Sequence, residues 1–371
     1  MFNRTRVGNP ISEIETPALL LDLVKLEANI AQMASYFYSL EANLRPHIKT
    51  HKLPIIAHKQ IMAGARGITC AKLSEAEVMA ASGIRDILIA NQIVSIPKIK
   101  RLIGLTRHCD IAVAVDNLSN AQDLSEIAKK HQSNLDVIIE VDVGMARSGV
   151  RSFKEMADLV QRIVDLPNLV FKGIMGYEGH AAHIEIFDQR KEVTLRANAR
   201  LLESKEQIEI LGIPVQIVSA GSTGTYNISG SYPGITEIQA GSYATMDANY
   251  QKLEGIHFEQ ALTVLATVIS RPEKNRVILD VGMKGITGEF GIPNLKETPE
   301  AQIIKLSEEH AVVDLKEVSN NRTDKNFSVG NKVELIPTHG CTTINLHQEY
   351  FAIRNGLVEA VWPILARGAI I

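Results

Sequence analysis

Eight consecutive residues, Arg45-Pro46-His47-Ile48-Lys49-Thr50-His51-Lys52, gather three basic side chains and two imidazoles. A proline and a β-branched isoleucine interrupt any helical period, and the apolar segment Leu53 to Ala63 begins directly after them. The pattern is that of a strand end, not of a solvated charge run. A lysine at a strand end, flanked by histidines and other cations, is the kind whose amine serves as nucleophile or Schiff-base former. Lys49 occupies that position.

Two turns could receive an anion. Ser219-Ala220-Gly221-Ser222-Thr223-Gly224-Thr225-Tyr226 sets glycines among small hydroxyl residues, and Ala240-Gly241-Ser242-Tyr243 repeats the theme about twenty residues on. Small residues let backbone N–H groups approach a phosphate closely. A phosphorylated cofactor held by Ser222, Thr223, Gly241 and Ser242 is the expectation.

Pro337-Thr338-His339-Gly340-Cys341 reads as the end of a strand. On an extended segment residues i and i+2 project to one side, so His339 and Cys341 could reach one ion. Imidazole with thiolate suits zinc better than magnesium or calcium, and water or substrate would complete the shell. Gly176-Tyr177-Glu178-Gly179-His180-Ala181-Ala182-His183 offers two histidines and a carboxylate for general-base or metal-supporting work. Asp142-Val143-Gly144-Met145-Ala146-Arg147 presents a planar guanidinium fork suited to a phenolate or carboxylate.

These groups need a scaffold that aims loops from many strands at one place. Short apolar strands are expected at Ala18–Leu21, Leu44–Ile48, Gly67–Cys70, Ile87–Ala90, Ile111–Val115, Val137–Val141, Val170–Met175 and Val215–Val218. Amphipathic stretches such as Leu23–Tyr38, Ser74–Ser82, Ala121–Lys130, Phe153–Val164 and Phe187–Leu211 alternate with them. Eight such alternations predict an α/β fold, a (β/α)8 TIM barrel over residues 16–255 whose strand ends carry the chemistry. On this reading Lys49 ends the second strand and the Ser219–Tyr226 turn follows the eighth. Beyond Gly255 the chain reads as strands alone, with Asn355-Gly356 as a hairpin turn. An all-β domain over residues 256–371, joined by residues 1–15, is expected.

Composition narrows the function class. The chain has 371 residues, 45% of them hydrophobic and 22% charged, with a net charge of −3 and no one-sided basic block. That disfavours nucleic acid as the main partner and favours a small-molecule enzyme. Three cysteines give no disulfide framework. The first six residues lack the apolar core of a signal peptide, and no apolar run reaches membrane-spanning length. A cytoplasmic protein without a membrane partner is expected.

Arg45 to Lys52, the Arg147 loop, the Gly-Ser turns and the His-x-Cys pair together resemble the fold-type III pyridoxal-phosphate enzymes. Within these the resemblance is to the D-threonine aldolase and D-serine dehydratase branch, from about Thr16 to Gly368. Thr16-Pro17-Ala18, Leu73-Ser74-Glu75-Ala76-Glu77 and Glu359-Ala360-Val361-Trp362-Pro363 are similar to that branch as well. The resemblance implies an alanine-racemase-like barrel joined to a β domain as a homodimer. It implies that Lys49 forms the Schiff base with pyridoxal 5'-phosphate, with Arg147 and Tyr177 as further cofactor contacts. It also implies a divalent metal on His339 and Cys341, zinc by donor type, with manganese and magnesium as alternatives.

The substrate implied is a β-hydroxy D-amino acid, and two lyase reactions stay open. The Gly-Ser-Thr-Gly-Thr-Tyr turn, Ala240-Gly241-Ser242-Tyr243 and Met246-Asp247-Ala248-Asn249-Tyr250 are similar to the aldolases. Those enzymes, however, place an aspartate where this chain has Cys341. The His-x-Cys pair is similar to the dehydratases. Retro-aldol cleavage, with His183 as candidate base, yields glycine and an aldehyde; elimination yields an oxo acid and ammonia. Racemisation is a third reading, and it leaves His339 and Cys341 without a use.

Overall fold

A computed structural model of the chain describes residues 7–316 and 326–371. The chain divides into two compact units. The first holds the segment ending at Ile30, Ser242–Lys252 and Ile256–Arg367; the second holds Ala31–Gly241, Leu253–Gly255 and Gly368–Ile371.

Strand β1 (Ala18–Asp22) belongs to the first unit, and the next eight strands belong to the second. These are β2 (Asn43–Leu44), β3 (Ile68–Cys70), β4 (Asp86–Gln92), β5 (Asp110–Val115), β6 (Leu135–Glu140), β7 (Leu169–Met175), β8 (Ile217–Ala220) and β9 (Glu237–Ile238). They form one parallel sheet in the order β2-β9-β8-β7-β6-β5-β4-β3. A parallel bridge between His47 and Thr69 joins the chain beyond β2 to β3, so the two edges meet and the barrel closes.

Helices follow the strands as the apolar period requires. Phe153–Val164 starts with a capping box, in which Ser152 Oγ accepts the Glu155 N–H and the Glu155 carboxylate accepts the Ser152 N–H. It buries Met156, Leu159, Val160 and Ile163, the i, i+3, i+4, i+7 stripe of an amphipathic helix. Leu88, Ala114, Ile138 and Met175, one from each of β4 to β7, form a core cluster of the barrel. Burying the larger of these side chains stabilises the unit by about 1.5–3 kcal/mol each.

The first unit is a nine-stranded mixed sheet. Its other strands are β10 (Leu262–Glu273), β11 (Arg276–Leu279), β12 (Asn294–Leu295), β13 (Gln302–Leu306), β14 (Ala311–Asp314), β15 (Lys332–Ile336), β16 (Glu349–Arg354) and β17 (Leu357–Pro363). The main path runs β13-β14-β11-β10-β1-β16-β17, with β15 on β10 and β12 on β15. Asn355 and Gly356 take φ of 52° and 77° in the β16–β17 turn, as an Asn-Gly hairpin requires.

Three expectations are corrected here. Ala18–Leu21 is not a barrel strand: β1 pairs antiparallel with β10 and parallel with β16. A central strand covered on both faces has the same unbroken apolar run as a barrel strand, so its sequence cannot tell them apart. The true eighth barrel strand, β9, is only two residues long and lacks an apolar run of its own. Every later barrel strand therefore moves down one place, and the domain boundary at residue 16 moves with it. The β unit is also not wholly β, because Gly340–Ile344 is a short helix. Residues 1–6 of the segment 1–15 lie outside the described residues, whereas Pro10 bridges Leu357 within the first unit. Among the described residues no helix is long and apolar enough to cross a membrane.

Candidate active site

The basic octapeptide follows the first barrel strand, and the structure sorts its charges. Arg45 is buried, its guanidinium bonded to Glu237 at 2.9 Å and Asp86 at 2.5 Å. Lys52 is buried against Glu75 at 2.6 Å. Burial, then the nearby Lys49 and Lys52 charges, hold the His47 imidazole well below its usual range. Burial likewise lowers His51 to about 4. Both rings are neutral at pH 7, and their Nδ1 atoms accept the Lys49 and Leu53 N–H groups at 3.3 and 3.1 Å. Arg45, His47 and His51 thus hold the backbone in place. Lys49, half-buried, makes no ion pair with a carboxylate among the described residues.

The turn that presents Lys49 is a strained one. Lys52 has φ of 53°, unusual for a long side chain, and its N–H closes the turn on the Ile48 carbonyl at 2.8 Å. The Lys52–Glu75 pair holds that conformation. The Glu75 carboxylate also accepts the Ala71 and Lys72 N–H groups at 2.7 and 3.1 Å. Leu73-Ser74-Glu75-Ala76-Glu77 therefore carries the anchor of the Lys49 turn.

Three expected residues come together. The Tyr177 ring, in the loop after β7, has Lys49 Nζ at 5.5 Å and the Arg147 guanidinium at 5.4 Å from its centroid. Arg147 stands in the loop after β6, half-exposed, with Glu140 at 3.7 Å. His180 and His183 are exposed in the turn after Tyr177. Glu178 instead points inward. It is 1% exposed and bonded to the turn after β8.

That turn and the one after β9 leave the same end of adjacent parallel strands. Ser222, Thr223, Gly224 and Gly241 are all buried. A Cβ on Gly224 would lie 2.0 Å from the Ala182 carbonyl oxygen, and one on Gly241 would lie 2.3 Å from that of His47. Only glycine fits either position. Neither buried N–H meets an acceptor among the described residues. Buried donors without partners are costly unless a ligand supplies an acceptor, so the two turns fit the phosphate of a cofactor.

In the first unit, His339 is the N-cap of the Gly340–Ile344 helix, not a mid-strand residue, and Cys341 lies in its first turn. The extended-strand reason for pairing them therefore does not hold. Burial would lower the His339 imidazole, but its hydrogen bond to Cys341, then Glu289 and Asp247, raise it to about 9. Glu289 Oε2 meets His339 Nδ1 at 2.8 Å, fixing the ring. Ser242, expected at the cofactor, has its Oγ 4.0 Å from Cys341 Sγ.

Asp247, given no role by the sequence reading, is buried and accepts N–H groups from Gly340, Asn249 and Tyr250 at 3.0, 3.2 and 3.0 Å. Among the described residues no group of three or more His, Cys, Asp and Glu side chains is placed to hold a metal ion. An imidazole and a thiol in contact fit a borderline-soft divalent ion as two of its ligands.

Comparison with known proteins gives the lineage. Residues 21–249 match the alanine racemase N-terminal domain, and residues 261–353 match a putative serine dehydratase domain. D-threonine aldolase of Arthrobacter sp is 39% identical over 97% of this chain and 95% of its own length. A 3-hydroxy-D-aspartate aldolase of Paracoccus denitrificans is 35% identical over 97% and 94%. The crystal structure of D-threonine aldolase from Filomicrobium marinum superposes with a TM-score of 0.96 at 32% identity, covering 100% of both chains. D-threo-3-hydroxyaspartate dehydratase, solved as a Cys-to-Ala mutant in its metal-free form, gives 0.88 at 26% identity over 96% and 98%.

Proposed function

The chain belongs to the pyridoxal-phosphate-dependent lyase family that joins an alanine racemase N-terminal domain to a serine dehydratase domain, and on that premise we propose that it cleaves β-hydroxy D-amino acids. D-threonine would yield glycine and acetaldehyde. The observation that carries the cofactor half of this reading is the segregation of Lys49: its neighbours are paired or neutral, while its amine lies against the Tyr177 ring, which Arg147 also meets. The choice of cleavage follows the aldolases named above, at 39% and 35% identity over nearly the whole chain.

Pyridoxal phosphate, when bound, supplies the electron sink that makes the bonds at Cα breakable. Lys49 Nζ would hold its aldehyde carbon. The N–H groups of Gly224 and Gly241, with the Ser222 and Thr223 hydroxyls, would hold its phosphate. Tyr177 and Arg147 would orient the ring and its phenolate. His183 would take the proton of the substrate β-hydroxyl. A divalent ion on His339 and Cys341, zinc by donor type, would supply Lewis acidity. A homodimer is part of the same reading.

The His339–Cys341 pair favours one second reading, elimination to an oxo acid and ammonia. It is supported by the dehydratase relative whose cysteine mutant was solved metal-free. In that reaction Lys49 Nζ would take the proton from Cα. Incubation with D-threonine separates the two: glycine with acetaldehyde supports cleavage, and 2-oxobutyrate with ammonia would replace it by elimination.

A further inference from the structure

We propose that Glu178 is a positioning residue that sets the shape of the turn after β8, an inference that rests on the cofactor reading above. Glu178 comes from the loop after β7, directly after Tyr177, and is 1% exposed. Its Oε2 accepts the Gly221 N–H at 3.1 Å. Its Oε1 accepts the hydroxyls of Thr225 at 2.7 Å and Ser229 at 2.9 Å. Thr225 Oγ1 in turn accepts the Ser222 N–H at 2.9 Å and lies 3.0 Å from Ser222 Oγ. Ser229 is held from behind by Asn198.

These bonds draw the N–H groups of Gly221 and Ser222 inward and leave that of Gly224 without an acceptor among the described residues. Gly221 turns at φ of 83°, where a Cβ would meet Ile238 at 2.8 Å. A buried carboxylate next to an anion site would ordinarily repel the anion. Here its charge is taken up by three donors, and its effect on the anion is to decide which N–H groups remain for it. By residue type the Glu178 carboxylate is a candidate for chemistry in the Tyr177 loop; the geometry gives it to the neighbouring turn.

The test compares two probes, pyridoxal 5'-phosphate and pyridoxal, which lacks the phosphate, by titration of the full chain stripped of cofactor. Glu178→Ala is expected to weaken binding of the phosphorylated probe about tenfold or more while leaving pyridoxal within about twofold. Glu178→Gln should recover most of the loss, because its carbonyl can still accept from Gly221 and the two hydroxyls can reverse toward the amide. Thr225→Val, a near-isosteric change that cuts the link from Glu178 to Ser222, should show the same selective loss. It carries the test if Glu178→Ala does not fold.

Equal losses for both probes in the variants that fold, or no loss for either, would overturn the positioning role. A wild-type chain that binds pyridoxal as tightly as the phosphorylated probe, or binds neither, defeats the cofactor reading itself and this inference with it.

Discussion

Arg45 and Lys49 lie four residues apart on one stretch of chain, and the barrel puts them to opposite uses. Arg45 lies between the starts of two strands, β9 with Glu237 and β4 with Asp86, and its guanidinium is bonded to both carboxylates. Lys49, beyond the strand end, meets no carboxylate among the described residues and faces an aromatic ring. At the start of the strands, buried charge is matched by charge and serves the fold. At their ends, a cation is kept apart by neutralising the groups around it, with His47 and His51 uncharged and Lys52 tied to Glu75. A barrel can thus hold stability and reactivity in one octapeptide, because its two ends have separate partners.

Substitutions at the two cations should separate these roles. Lys49→Ala is expected to lower turnover by roughly 10²–10⁴-fold or more and to remove the visible absorbance of the cofactor complex. Urea stability should change by no more than about 0.5 kcal/mol. Unchanged absorbance would sink the assignment. Arg45→Met should do the reverse. It leaves Glu237, 1% exposed, as an uncompensated buried charge, a loss of about 3–5 kcal/mol. Asp86, partly exposed at 39%, adds less because solvent screens it. Turnover per folded molecule should hold within a few-fold; a variant that unfolds no more easily than wild type would show that the Arg45 network is dispensable.

How much of this was legible beforehand depended on the range of each interaction. Phe153–Val164 and the Asn355-Gly356 hairpin follow from local period and turn chemistry, and both appear as read. Lys49, Tyr177 and Arg147 could be found from residue types at strand ends, since a parallel barrel brings those ends together. Glu237 is 192 residues from Arg45, and Glu178 is 43 from Gly221. No local pattern marks such pairs, because a lone Glu in a loop looks the same whether it faces water or a buried turn. β1 failed for another reason: burial on both faces erases the alternation that would tell one sheet from another.

The smallest predicted effect concerns the neutral state of the imidazoles beside Lys49. His51 has its folded pKa at about 4, and His47 also lies well below its ordinary value. In the unfolded chain both would titrate near the ordinary imidazole value of 6.5. Between these limits the unfolded state binds protons that the folded state refuses. The stability contributed by neutral His51 is therefore fully present above pH 6.5 and is lost as pH falls toward 4, and His47 acts in the same direction. For His51 the difference corresponds to about 3 kcal/mol across that window. His51→Asn keeps an acceptor for the Leu53 N–H but cannot take up a proton, so it should flatten part of the acid limb of a urea-stability profile. An acid limb as steep as that of wild type would mean that His51 is already protonated in the folded protein. Lys49 would then stand beside one more positive charge, and the contrast between the two cations would lose its cause.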